Sequence, residues 1–97
     1  MSEALTLHEF SQYLHTRFRV GQRESYELEL TEAVDRSNAQ LEQFSLIFTG
    51  IASPWLPQGL YQLTHSQMRE CELLLVPIGP DASGMRYEAA FSRPFNR

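Results

Sequence analysis

The 97-residue chain contains no lysine, a single cysteine and no long apolar run. One cysteine cannot form an internal disulfide, so the fold must rest on packing and hydrogen bonds, and a reducing compartment is expected. The longest apolar run, Leu73 to Val76, is far shorter than the roughly 20 residues of a membrane helix. The N-terminus also lacks a basic segment followed by an apolar one, as a secretory signal would require. We therefore expect a cytoplasmic protein.

Positive charge is also scarce. The chain has eight arginines and twelve carboxylates, which gives a formal net charge of −4. The arginines are scattered along the chain. Proteins that bind nucleic acid or anionic membranes need clustered positive charge to displace counterions. The composition therefore predicts neither nucleic acid nor membrane as a partner.

Apolar and aromatic residues, in contrast, are plentiful. They make up 42% of the chain and include six phenylalanines, four tyrosines and one tryptophan. That supply is enough for one modest hydrophobic core, and the length leaves no room for a second. We expect one globular domain spanning residues 1–97.

The N-terminal segment has the features of a helix start. Thr6 is a good N-cap, and Glu9, three residues later, completes a capping box. Leu5 and Phe10 have the spacing of a hydrophobic staple across the cap. Apolar residues then follow Leu7 at i+3 and i+7, which is a helical stripe. The pattern predicts a helix from Leu7 to about Thr16.

From position 17 onwards the apolar period changes from 3.6 residues to two. This alternation predicts short strands with one buried face, over residues 17–20, 26–31, 44–48, 60–64, 71–76 and 87–91. Polar or turn-rich segments at 35–40, 50–59 and 79–84 separate them, and Pro77 is expected to end pairing or mark an edge. The prediction is an α+β fold, in which an N-terminal helix packs on a curled antiparallel meander sheet or half-open barrel of five to six strands.

Four strings carry a resemblance to a known family. They are FSLIFxG at 44–50, LPQGLYxLxH at 56–65, ELLLVPIG at 72–79 and YEAAFSR at 87–93. They resemble a family of small bacterial domains of unknown function, whose members often lie beside proteins with phage-tail collar modules. The resemblance covers most of the chain and implies an accessory role to phage-tail-like proteins. It brings no catalytic residues with it.

No cluster of side chains predicts catalysis or metal binding. His8 and His15 lie seven residues apart, which matches no usual pair of zinc ligands. Cys71 alternates with buried positions, and a buried apolar thiol is unreactive, so a nucleophile with His65 as its base is disfavoured. No phosphate loop, nucleophile elbow or dinucleotide fingerprint occurs. We predict no enzyme activity, no catalytic residue, no cofactor and no metal site.

The apolar loop around the single tryptophan is the strongest candidate for a contact surface. Its prolines restrict the backbone, and its apolar side chains include a tryptophan, a residue type that anchors protein interfaces. The predicted interface residues are Ile51, Pro54, Trp55, Leu56 and Pro57. The alternative is that Trp55 and Leu56 fold back as a lid over one end of a small barrel, because so short a chain must bury its large side chains.

Three functions follow from these observations. The first is a non-enzymatic interaction or assembly module that contacts a protein partner or forms a homo-oligomer, as an accessory of phage-tail-like proteins. The second is a small-ligand-binding domain or minor enzyme whose pocket lies at the mouth of the curled sheet, with Tyr61, His65 and Tyr87 as polar contacts. The third is an inhibitor or immunity-type partner, steered by its acidic charge towards a basic target.

Overall fold

The computed structural model describes residues 6–21 and 26–94. The strands in this part of the chain form a closed barrel in the order β1-β2-β3-β6-β5-β4, and every neighbouring pair is antiparallel. The elements are α1 (Leu7–Ser11), β1 (Arg17–Val20), β2 (Glu27–Asp35), β3 (Leu41–Gly50), β4 (Gly59–His65), β5 (Met68–Asp81) and β6 (Gly84–Pro94).

The α+β prediction is wrong, because the structure is nearly all-β and its helix has only five residues. The N-cap is as predicted, since Thr6 Oγ1 accepts a hydrogen bond from the Glu9 amide at 3.0 Å. The predicted staple partner, Leu5, lies outside the described residues. The helix ends early because the following backbone pairs with β2: the His15 amide donates to the Leu30 carbonyl at 2.7 Å, and His15 has a φ of 66°.

Helix α1 does not lie over the sheet but inserts one side chain into the barrel. Phe10 is fully buried, and its ring centroid lies 6.3 Å from that of Phe44 on β3 and 5.8 Å from that of Phe91 on β6. Phe44 and Phe91 stack on each other at 4.4 Å. These three rings form an aromatic cluster that anchors the helix in the core. Leu7, the first residue of α1, is partly buried and also packs against the core.

Strand β5 closes the barrel by changing partner along its 14 residues. Its paired residues up to Leu75 lie against β4, and those from Val76 to Asp81 lie against β6. Pro77 was expected to end pairing or mark an edge, yet it lies opposite Tyr87 within the ladder. A register shift between Pro77 and Gly79 interrupts the regular ladder next to the proline. Such irregularities are where sheets tolerate a residue that has no N–H to donate.

The alternating pattern does identify the buried face. Most inward residues of the strands are buried and form one cluster, against which the partly buried Ala33, Tyr61 and Phe91 pack. Its strand members are Phe18, Val20, Leu28, Leu30, Phe44, Leu46, Phe48, Leu63, Met68, Cys71, Leu73, Leu75, Met85, Tyr87 and Ala89. Among the described residues, no helix is long and apolar enough to cross a membrane.

The outer face of β5 carries an exposed apolar residue. Leu74 alternates with the buried Leu73 and Leu75 and is 49% exposed. Its cross-strand neighbour Leu60 on β4 is 65% exposed. Helix α1 is too short to cover this pair, which therefore remains an apolar spot on the barrel surface.

Candidate functional site

The segment between β3 and β4, residues 51–58, crosses one end of the barrel; we call it the Trp55 loop. Its Leu56 is 1% exposed and belongs to the core. The Leu56 amide donates a hydrogen bond of 2.8 Å to the hydroxyl of Tyr87, whose side chain is fully buried. A buried amide needs such a partner, so Tyr87 fixes the loop to the barrel interior.

Two further tyrosines hold the same loop from its rim. The Tyr26 hydroxyl donates to the Pro54 carbonyl at 2.8 Å, and the Tyr61 hydroxyl donates to the Pro57 carbonyl at 2.7 Å. The loop is therefore attached at three successive points, 54, 56 and 57. Such attachment lowers the entropy that the loop would lose on binding.

The side chains between these attachment points face outwards. Trp55 is 51% exposed and Ile51 is 53% exposed, and Pro54 and Pro57 are also exposed. Leu56 departs from the predicted interface set, because it fills the barrel end and hydrogen-bonds through its amide to a buried hydroxyl. The two sequence-based interpretations are thus divided between neighbouring residues: Leu56 folds back and Trp55 does not.

The three predicted pocket residues do not meet in one cavity. Tyr87 is buried and bonded to Leu56, and Tyr61 is bonded to Pro57 at the rim. His65 ends β4, where its Nε2 lies 2.9 Å from Thr16 Oγ1. The three side chains therefore have separate structural partners. The alternation of the sequence places Tyr61 and Tyr87 on inward phases but does not show which backbone group each hydroxyl reaches.

His65 is held by ring packing and hydrogen bonds that the sequence did not reveal. Its ring packs between those of Tyr13 and Phe18, with centroids at 4.8 and 4.7 Å. The Gln67 amide donates to Nδ1 at 3.0 Å, so the ring proton lies on Nε2 and is donated to Thr16. This arrangement fixes the corner after α1 to the β4–β5 turn.

Cys71, His8 and His15 show no arrangement for catalysis. Burial, and secondarily the charge of Glu9, raises the pKa of the Cys71 thiol to about 11. His8 Nε2 lies 3.0 Å from the side-chain nitrogen Nε2 of Gln12, and His15 Nδ1 lies 3.7 Å from a carboxylate oxygen of Glu29. Over residues 6–21 and 26–94, no three side chains of the metal-binding types lie close enough to hold an ion.

Two polar grooves lie on the outside of the barrel, and neither was predicted. One has a volume of about 400 Å³, and its charged lining residues are Arg17, Glu27, Glu29, Glu32, Asp81 and Arg86. The other has a volume of about 360 Å³ and is lined by Arg17, Arg19, Glu27, Thr64, His65 and Ser66. The outward residues of a strand look like ordinary solvated charges in a sequence, because the register that brings them together across strands is absent from it.

Comparison with known proteins gives one match. The model of a family described as Domain of unknown function (DUF6916) matches residues 5–91. Neither the search of curated proteins nor that of solved structures returned a match. The chain belongs to this family of unknown function.

Proposed function

We propose that this domain is a non-enzymatic protein-interaction or assembly module, and that the Trp55 loop is its contact surface. The observation that carries the proposal is the contrast within the loop. Three tyrosine hydroxyls hold its backbone, while its largest side chain remains half exposed. A rigid, partly exposed tryptophan is typical of a residue that anchors an interface.

The size of the contribution follows from the exposed area. An aromatic side chain buries about 150–250 Å² when it is fully covered, so a half-exposed Trp55 has on the order of 100 Å² left to bury. At about 25 cal/mol per Å², covering it contributes about 2–3 kcal/mol. That free energy corresponds to roughly 30- to 150-fold in affinity.

We propose a protein as the occupant, either a second copy of the chain or a component of a phage-tail-like assembly, with the contact made in the cytoplasm. The phage-tail component rests on the family resemblance of the four strings described above. The alternative, a small ligand at the mouth of the sheet, has less support. Leu56 fills that end of the barrel, and the hydroxyls of Tyr61 and Tyr87 are already bonded to the loop backbone.

Replacing Trp55 tests the proposal. Trp55→Ala is expected to lower the thermal unfolding midpoint, because about half of the side chain is already covered in the monomer, but to leave the domain folded. It should weaken association by roughly 30- to 150-fold. Leu60→Ala is the matched control, because Leu60 is even more exposed but lies outside the loop. Sedimentation over a range of concentrations measures self-association, and co-purification from the native host with mass spectrometry identifies other partners.

Two outcomes would count against the proposal. One is a monomer at all concentrations together with no protein whose recovery depends on Trp55. The other is an equal loss of association in Leu60→Ala, which would place the contact on the barrel wall instead of the loop.

A further inference from the structure

The smaller of the two outer grooves, lined by Arg17, Arg19, Glu27, Thr64, His65 and Ser66, is a candidate binding site in its own right; we call it the Arg19 groove. Strand pairing builds it. Arg19 on β1 lies opposite Glu27 on one side and opposite Thr64 on the other. The β4–β5 turn adds Ser66 at the end of the groove.

The charges of this groove are not balanced. The groove contains two guanidinium groups, those of Arg17 and Arg19, and one carboxylate, that of Glu27. This carboxylate is already paired with Arg17, since Glu27 Oε1 lies 3.5 Å from Arg17 Nη1. Within residues 6–21 and 26–94, Arg19 makes no hydrogen bond and no ion pair through its side chain. The groove therefore contains one positive charge without a negative partner in the described chain.

The groove also contains two hydroxyl groups, those of Thr64 and Ser66. Among the described residues, neither the Thr64 nor the Ser66 hydroxyl makes a side-chain hydrogen bond. His65 contributes a fixed wall, because both of its ring nitrogens are engaged, by Gln67 and Thr16. The unused groups are thus a guanidinium, with five N–H donors in a planar fork, and two hydroxyls.

We propose that the Arg19 groove binds a small oxyanion, a carboxylate or a phosphate, with Arg19 as the main ligand and the Thr64 and Ser66 hydroxyls as additional donors. A guanidinium matches the two oxygens of either group in a bidentate, charge-assisted contact. The site goes beyond the interaction proposed for the Trp55 loop and does not depend on it.

A titration followed by NMR tests the site in the full chain. Sodium phosphate and sodium acetate are added separately, with sodium chloride at equal ionic strength as the reference. We expect saturable shifts of the Arg19, Thr64 and Ser66 amide signals with phosphate, acetate or both. Saturation with only one of the two salts identifies the oxyanion class and still supports the site.

Arg19→Gln is expected to weaken this binding about tenfold or more, because the lost contact is charge-assisted. The fold should be retained, since the Arg19 side chain is exposed and has no partner among the described residues. Arg36→Gln is the charge control, since it removes the same charge from the loop after β2, outside the groove. Unlike Arg19, Arg36 has a structural contact, because its Nε donates to the Oγ of the buried Ser45 at 3.1 Å. Thermal unfolding of both variants is therefore measured first, and affinities are compared where both are folded.

Three results would overturn the proposal. The first is that chloride reproduces the same shifts, which would show general screening of charge. The second is that Arg36→Gln loses as much affinity as Arg19→Gln, which would show a long-range effect of net charge. The third is that neither phosphate nor acetate gives a saturable change at the three amides.

Discussion

The hydrogen bond between the Leu56 amide and the Tyr87 hydroxyl gives the sharpest test of how the Trp55 loop is held. Tyr87→Phe removes one oxygen atom and leaves the ring in place, so the packing of the core changes little. The Leu56 amide then loses its acceptor in a region where Tyr87 is fully buried and Leu56 is 1% exposed. Water cannot replace the acceptor there without opening the loop.

The expected cost follows from that burial. A buried donor left without an acceptor costs about 1–3 kcal/mol. For a domain of this length, such a loss lowers the unfolding midpoint by roughly 5–20 °C. Alternatively, the loop detaches from the barrel. The Leu56 amide can then bond to water, but the Leu56 side chain becomes exposed, which also costs stability.

Tyr61→Phe is the matched control, because its hydroxyl also bonds a loop backbone group but does so at the surface. The Pro57 carbonyl that it releases can bond to water, so a change below about 0.5 kcal/mol is expected. Urea unfolding, monitored by circular dichroism, measures both variants, and Trp55 fluorescence reports whether the loop opens. Equal effects of the two substitutions, or a negligible effect of Tyr87→Phe, would refute the reasoning.

Two further predictions concern backbone and thiol. Gly84→Ala should destabilise the fold by more than about 3 kcal/mol or prevent folding, since its Cβ would overlap the Gly50 carbonyl oxygen. Gly79→Ala should cost only about 1–2 kcal/mol, because its φ is also positive but no atom of the described residues lies within 4 Å of the new Cβ. Chemical denaturation compares the two variants, and equal costs would contradict this prediction. Cys71 should resist thiol reagents at pH 8 until the chain unfolds. Because burial raises its pKa from 9.0 to about 11, the unfolded chain releases the proton first and stability should fall between those pH values; a Cys71→Ser variant without that decline identifies the group.

The period of the apolar residues predicted the strands well. Alternation over 71–75 identified the residues that the barrel buries, because the two-residue period of a strand fixes which side chains share a face. Over 44–48 it identified the inward residues, but the outward Ser45 and Ile47 are buried as well. The apolar period predicted the ends of the strands less well. The alternation becomes irregular where β5 bends past Pro77 to exchange one partner for another, and that exchange is a property of the whole barrel.

The helix shows why a correct local signal gave the wrong fold class. Thr6 caps α1 as predicted, and the apolar spacing continued to Leu14. Pairing of the His15 amide with the Leu30 carbonyl nevertheless competes with a further helical turn and prevails. Helices this short have little stability of their own, so a tertiary hydrogen bond is enough to prevent the helix from extending to Thr16.

The candidate sites were predictable only in part, for a related reason. Composition drew attention to the loop around Trp55, since a tryptophan between prolines is a strong local signal. The loop is held by three tyrosine hydroxyls, and two of them, those of Tyr26 and Tyr87, come from 28 and 31 residues away in the sequence. Arg19 and Ser66 are far apart in sequence, and only the pairing of β1 with β4 brings them to one groove.

The width of the barrel limits where this domain can bind anything. An eight-stranded barrel has an interior just wide enough for side chains or one small ligand, and this barrel has six strands. Phenylalanine rings fill it, with Phe18 and Phe48 in edge contact at 5.5 Å, and Leu56 closes the end below the loop. A ligand inside would have to displace core side chains, each at a cost of several kcal/mol. Binding should therefore use the outer wall and the rim, which is where the Arg19 groove and the Trp55 loop lie.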